Sequence, residues 1–482
     1  MAFNSLTYLS LLALVVFIFW QIPHKLRYYL IFLSSLIFYG FWRIDFIFLL
    51  LFSTISTWFL TNIIHNKKIK KEQKKFLVFT LSINLGILFI FKYLIFFSEN
   101  AIGILNLIGG SFGYLSLKII LPLGISFYTF QSISYTIDVY RKIIKPEKNF
   151  IIYACYITFF PQLIAGPILR AGEVIIQFKR NTKFNFDFIY LGLRRVLYGL
   201  FLKVVIADNI SPLVDTGFEI GAEQLSALDV WTLAFLFGFQ IYFDFSAYSH
   251  IALGSARMIG ISFPENFNFP YIASSPKDFW KRWHISLSSW VRDYLYLPLM
   301  GGNFQNTSTG GLSMVTQIKK DHKPLFVSWS LMGLWHGANW TFLIWGIYHA
   351  LIIYIYRHLS FLTQNIDKKI KNIIGWCCTL PLIMLSWIPF RAQSIEICFE
   401  MWTKIINPFE YGFLGLRENT YLVSFFLLVG MIINYYLFNY VSKKKFLNKG
   451  FLLFGDLILI TILFILVFIF LRPINQFIYF QF

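Results

Sequence analysis

Residues 45–75 read DFIFLLLFSTISTWFLTNIIHNKKIKKEQKK. The run 45–64 carries one charge, Asp45, at its first position. At about 1.5 Å per residue, roughly 20 such residues cross the ~30 Å hydrocarbon core of a bilayer as a helix. Lys67–Lys75 then hold six lysines and one glutamate. An apolar run closed by a short basic loop marks a transmembrane helix whose end faces the cytoplasm. The same pattern recurs at other places in the chain. Apolar runs lie near 3–22, 28–42 and 76–97, and again near 226–245, 325–339, 341–357, 373–390, 421–441 and 450–471. Basic loops follow at Arg141–Lys148, Lys319–Lys323, Lys368–Lys371 and Ser442–Lys449.

Composition agrees with this reading. Of 482 residues, 57% are hydrophobic and 13% charged, about half the charged share of a soluble domain. Mean hydropathy is +0.64. The expected fold class is therefore an all-α polytopic membrane protein. It should have roughly ten to twelve transmembrane helices, with re-entrant or interfacial helices besides. The net charge of +19 is a positive-inside bias rather than a nucleic-acid footprint, because the lysines and arginines sit in loops between spans. Residues 1–22 contain no Lys or Arg, while Lys25 and Arg27 follow. That places the N-terminus outside, and the last basic loop places the C-terminus outside as well. Cys155, Cys377, Cys378 and Cys398 have no metal-ligand or redox spacing, and all four read as buried apolar side chains.

Residues 100–220 are less regular. Leu121-Pro122-Leu123-Gly124, Gly166-Pro167, Arg194-Arg195 and Lys203 interrupt apolar sequence. Broken helices at membrane depth survive only inside protein or beside a water-filled cavity, so this region should enclose something polar.

Ionisable groups inside spans are the functional candidates. His336 lies in Met332-Gly333-Leu334-Trp335-His336-Gly337-Ala338-Asn339-Trp340. Gly333 and Gly337 have the spacing that lets another helix approach closely. An imidazole there, flanked by Trp335 and Trp340, is held neutral and suits a general base. A histidine bonded structurally to a carbonyl fits the spacing equally well. The second candidate is Ser274–Leu299. Ser275-Pro276-Lys277-Asp278 has the form of a helix start, and Asp278 and Arg282 are spaced to pair. Trp280, Trp283, Leu287, Trp290, Tyr294 and Leu297 form a helical stripe with His284 at its border, one turn before Ser288. An amphipathic helix lying at the membrane surface is the simplest reading of that stripe. The third is Asp244, which closes a long apolar run and needs a cation, with Arg257 or an arginine of another helix as the expected partner. Nucleotide loops, the Rossmann fingerprint, HExxH and GxSxG do not occur in the sequence.

Three stretches together resemble the membrane-bound O-acyltransferase family. They are Phe160-Pro161-Gln162-Leu163-Ile164-Ala165-Gly166-Pro167-Ile168, the run Asp278 to Ser288, and Gly333 to Trp340. Phe127 to Tyr135 and Phe477-Ile478-Tyr479-Phe480-Gln481-Phe482 are similar to its bacterial polysaccharide O-acetyltransferase branch, which includes the alginate and peptidoglycan enzymes and whose relatives pass D-alanine to teichoic acids. The resemblance runs from about residue 120 to the end.

It implies one membrane-embedded domain, 1–482. Residues 1–118 would be N-terminal spans, 119–357 the catalytic core and 358–482 C-terminal spans. It further implies His336 and His284 as catalytic residues in a tunnel through the bacterial inner membrane. Acetyl-CoA would be the cytoplasmic acyl donor, with no resident cofactor. The acceptor would be an extracytoplasmic polysaccharide or a partner protein. His336 would act as base on the acceptor hydroxyl, and His284 or Asn339 would stabilise the oxyanion. Trp335, Asn339, Asp244 and Ser288 are the expected substrate-binding positions, with Ser288 or Ser330 as the nucleophile if an acetyl-enzyme forms. The position of His250 is more often acidic in this branch, which leaves the Asp244–His250 segment without a transferred role. A different class of protein, a secondary transporter with a His/Asp proton relay, fits the buried ionisable groups as well.

Overall fold

The computed structural model describes residues 3–482 apart from 115–116, 165, 303, 307–311, 315–320, 444–448, 474–476 and 479–482. Lys319 and Lys320, most of the last basic loop, Ala165 and the closing residues Tyr479–Phe482 therefore lie outside the described residues. Among the described residues, six helices are long and apolar enough to cross a membrane: Asp45–Asn66, Lys70–Leu107, Ala227–Met258, Trp340–Leu362, Lys368–Arg391 and Glu418–Tyr440. Leu6–Gln21 and Gly455–Ile469 are shorter apolar helices. Every apolar run identified in the sequence is helical. The chain divides into two compact units, the first comprising Met1–Leu193, Ala252–Pro264 and Ser289–Asp321, the second Arg194–Ile251, Glu265–Ser288 and His322–Phe482.

In the first unit, polar side chains join apolar helices. Ser53 donates to Asn84 Oδ1 at 3.0 Å, and Asn84 Nδ2 donates to Thr57 at 3.0 Å. These bonds tie Asp45–Asn66 to Lys70–Leu88, where burial of apolar surface gives no advantage over lipid. Ile125–Tyr140 starts at Gly124, whose φ is +69°. A Cβ there would lie 2.2 Å from the Leu163 carbonyl oxygen, so both the conformation and the crowding require glycine. The described residues of the irregular segment, Phe160–Ile164 and Gly166–Ile168, are buried, as its interrupted sequence suggested. The Tyr294 hydroxyl donates toward the Asp138 carboxylate, lying 2.8 Å from each of its oxygens, and Arg170 pairs with Asp293 at 3.2 Å. A short antiparallel pair, Phe304–Asn306 with Leu312–Met314, completes the unit.

The second unit is organised around Ala227–Ile251, most of whose side chains are buried. Gly199 brings the preceding helix against it: a Cβ at Gly199 would fall 2.7 Å from the Ala247 carbonyl oxygen. One turn later the helix loosens into a π-helix, Phe201–Ala207, which carries Lys203. Glu418–Tyr440, by contrast, buries only Met431 among its large apolar side chains, as a lipid-facing helix would. Of the four cysteines, Cys155 and Cys398 are buried but Cys377 and Cys378 are exposed. The expectation that all four are buried is corrected for those two, because the first half of Lys368–Ser386 turns its apolar side chains outward.

Candidate active site

Asp244, His284, Ser288, Trp335, His336 and Asn339 all fall in the second unit. His336 is the last residue of Lys323–His336. Gly337 is extended, and Asn339 caps the next helix, Trp340–Leu359, accepting from the Thr341 N–H at 3.0 Å. The two helices form a hairpin closed by glycine. A Cβ on Gly333 would lie 2.2 Å from the Phe342 carbonyl oxygen, and one on Gly346 would lie 2.3 Å from that of Trp329. Gly333 thus packs against Gly346 of its sequence neighbour. Gly337 meets the Phe342 ring instead of a backbone. Gly333→Leu should force the hairpin apart at about 1–3 kcal/mol, read as a lower unfolding temperature in detergent.

Aromatic edges enclose the His336 imidazole. Ring centroids of Trp335 and Trp345 lie 4.9 Å away and that of Phe390 at 5.1 Å. Trp340, expected to flank it, is 42% exposed. Trp345, on the second helix, also lies beside the ring.

The segment from Ser275 opens as its sequence predicts. Ser275 accepts from the Asp278 N–H at 3.1 Å, and Arg282 pairs with Asp278 at 3.0 Å. It does not continue as one surface helix. Pro276–Trp280 ends, the backbone turns at His284 with φ +40°, and Ile285–Val291 begins. Trp280, Trp283 and Leu287 of the stripe are buried, so the interfacial reading is corrected. A left-handed histidine costs of order 1 kcal/mol or more and persists only where its surroundings hold it. Asn266 supplies that hold. Its Oδ1 accepts from the Ser286 N–H at 3.2 Å and from the Ser286 hydroxyl at 2.9 Å. That fixes Oδ1 as an acceptor, so His284 Nδ1, 3.1 Å away, is the protonated nitrogen. The neutral ring then carries its lone pair on Nε2, a proton acceptor. Asn266→Leu should lower turnover about tenfold or more, 1.4 kcal/mol or more in the barrier, measured on protein that still elutes as folded.

His284 meets Phe245 edge-on at 4.6 Å and lies 6.3 Å from Phe267. A chain of rings connects it with His336. Phe267 lies 5.1 Å from Trp283, Trp283 4.9 Å from Trp387, and Trp387 6.4 Å from Trp345. Both imidazoles therefore border one aromatic cluster, which excludes water and strengthens local electrostatics.

The partner of Asp244 is Lys203 and not an arginine. Lys203 Nζ lies 2.7 Å from Asp244 and 2.8 Å from Asp208, all three buried. The other Asp244 oxygen accepts from the Ile478 N–H at 2.9 Å, and Phe477 stacks on Tyr248 at 4.0 Å. Arg257 lies in the first unit and donates to Ser262 at 2.9 Å. Asp244 thus fastens three segments of chain together. Ser288 donates to the Trp283 carbonyl at 3.1 Å. In the sequence, Lys203 is only an interruption of an apolar run, and the setting of Asn266, Pro264-Glu265-Asn266-Phe267-Asn268, reads as an ordinary loop.

Residues 29–390 match the model of MBOAT, the membrane-bound O-acyltransferase family. The chain is 37% identical over 414 residues to "Probable alginate O-acetylase AlgI" of Azotobacter vinelandii, covering 84% of this chain and 78% of that protein. It is 36% identical over 390 residues to "Peptidoglycan O-acetyltransferase" of Helicobacter pylori, covering 76% and 71%. With "Teichoic acid D-alanyltransferase" of Bacillus subtilis it shares 31% identity over 296 residues, covering 60% and 70%.

Proposed function

The chain belongs to the membrane-bound O-acyltransferase family and is an acyltransferase, and from that premise we propose that it O-acetylates a cell-surface polysaccharide of the peptidoglycan or alginate kind. The donor is acetyl-CoA on the cytoplasmic side of the bacterial inner membrane. The acceptor is an extracytoplasmic hydroxyl, reached directly or through a partner protein, and both termini lie outside. The observation that carries this reading is the buried His336 at the closed end of a helical hairpin, inside the aromatic cluster that His284 also borders. The names of the alginate and peptidoglycan relatives support the acetyl group and the acceptor class.

The proposed step is direct attack. The His336 imidazole takes the hydroxyl proton as the oxygen bonds to the thioester carbonyl carbon. The carbonyl electrons move to the oxyanion, then return as the C–S bond breaks. CoA leaves as thiolate and takes the proton from the imidazolium. An oxyanion needs donors. Neutral His284 has its Nδ1–H directed at Asn266 and a lone pair on Nε2, so it suits proton transfer. Asn339 fits the donor role better, since its cap bond uses only Oδ1 and leaves its amide N–H groups. Ser288, with its hydroxyl committed to a backbone carbonyl, gives the acetyl-enzyme route no support.

The test is a donor assay. The protein is reconstituted in liposomes with labelled acetyl-CoA and a peptidoglycan or alginate acceptor. CoA release that requires acceptor, with label on the glycan, is expected. Acetyl-CoA left intact with every acceptor, while another acyl thioester is consumed, overturns the donor assignment.

A further inference from the structure

We propose that His349 is a positioning residue that clamps the His284 segment onto the hairpin carrying His336. Its effect on catalysis rests on the acyltransferase reading above, while its geometry does not.

His349 is fully buried on Trp340–Leu359. Three indoles box it in. Trp329 stacks at 5.4 Å, Trp345 meets it at 4.6 Å and Trp280 at 5.0 Å. Trp280 Nε1 lies 3.4 Å from His349 Nδ1. An indole nitrogen can only donate, so Nδ1 accepts, and the neutral ring carries its proton on Nε2. Nε2 is buried with no hydrogen-bond partner among the described residues. An apolar ring would fill the box without burying that N–H. What the imidazole adds is an acceptor for Trp280.

Trp280 ends the short helix four residues before His284. Trp345 touches both His349 and His336. One side chain therefore bears on both catalytic candidates. The left-handed backbone at His284 must be held by its surroundings, and the Trp280 bond restrains its N-terminal side as Asn266 restrains the ring. Small displacements of a reacting group cost rate steeply.

The experiment uses the full chain, purified and reconstituted, as wild type, His349→Leu, Trp280→Phe, the double variant and His349→Asn. The asparagine Oδ1 stands close to where Nδ1 was and can accept from Trp280. Each single removal is expected to lower kcat about tenfold with the KM for acetyl-CoA unchanged. The double variant should be no slower than the slower single, since both remove one bond. His349→Asn should regain at least half of the lost kcat. Multiplying kcat losses in the double variant, wild-type kcat in both singles, or no recovery with asparagine each overturn the clamp. If His349→Leu does not fold, Trp280→Phe and His349→Asn decide by the same criteria. A wild-type protein that leaves every thioester intact defeats the acyltransferase reading instead. The melting temperatures of the same variants then decide the clamp: non-additive shifts support it and additive shifts overturn it.

Discussion

His336→Ala is expected to lower kcat for acyl transfer at least about a hundredfold, the range a positioned general base contributes, while the KM for the donor stays near its wild-type value. The imidazole lies among Trp335, Trp345 and Phe390, where water has little access to replace it. The helix ends at that residue and the hairpin is closed by Gly333 and Gly346. The loss should therefore be in chemistry and not in folding. Turnover of labelled acetyl-CoA, together with the elution profile and melting temperature of the variant, checks both parts. A variant that keeps wild-type kcat would move the base to His284, whose Nε2 lone pair is already oriented by Asn266.

Lys203→Met is expected to be the most destabilising single change. It leaves Asp208 and Asp244 facing each other without their cation in a buried site. Breaking one buried ion pair from one side costs about 3–5 kcal/mol. Asp244 also holds the Ile478 N–H, so the segment at Phe477–Ile478 should loosen with it. Replacing the whole set, Lys203→Met with Asp208→Asn and Asp244→Asn, should recover most of the loss, because no unpaired charge then remains. Thermal unfolding in detergent measures both. A Lys203→Met protein as stable as wild type would mean that the triad contributes nothing to the fold.

The contrast between Lys203 and Asp244 shows what could be read from the chain. That Asp244 needs a cation follows from one apolar run and one carboxylate. Which cation it takes depends on how a helix some forty residues earlier crosses Ala227–Met258 at Gly199, and no local pattern encodes that crossing. The spans themselves were legible because a membrane helix satisfies its backbone within one segment, so its signal is local. The stripe from Trp280 to Leu297 misled for the opposite reason. Residues at 3-4 spacing are buried equally well by two short helices joined at a left-handed His284, and the group that holds the turn, Asn266, lies on another loop. The glycines near His336 fall between these cases. Close approach was correctly read at Gly333, but its partner was Gly346, because successive helices joined by a short turn pack on each other.

In the proposed reaction, acetyl passes from a donor on one side of the membrane to an acceptor on the other, with His336 as base. The most direct measurement uses sealed, oriented proteoliposomes with labelled acetyl-CoA outside and glycan acceptor enclosed. Stoichiometric CoA release outside and acetyl ester on the enclosed glycan are expected, both lost in His336→Ala. Label entering the lumen as an intact solute, at equal rates in wild type and His336→Ala and without CoA release, would contradict the proposed reaction and identify a transporter.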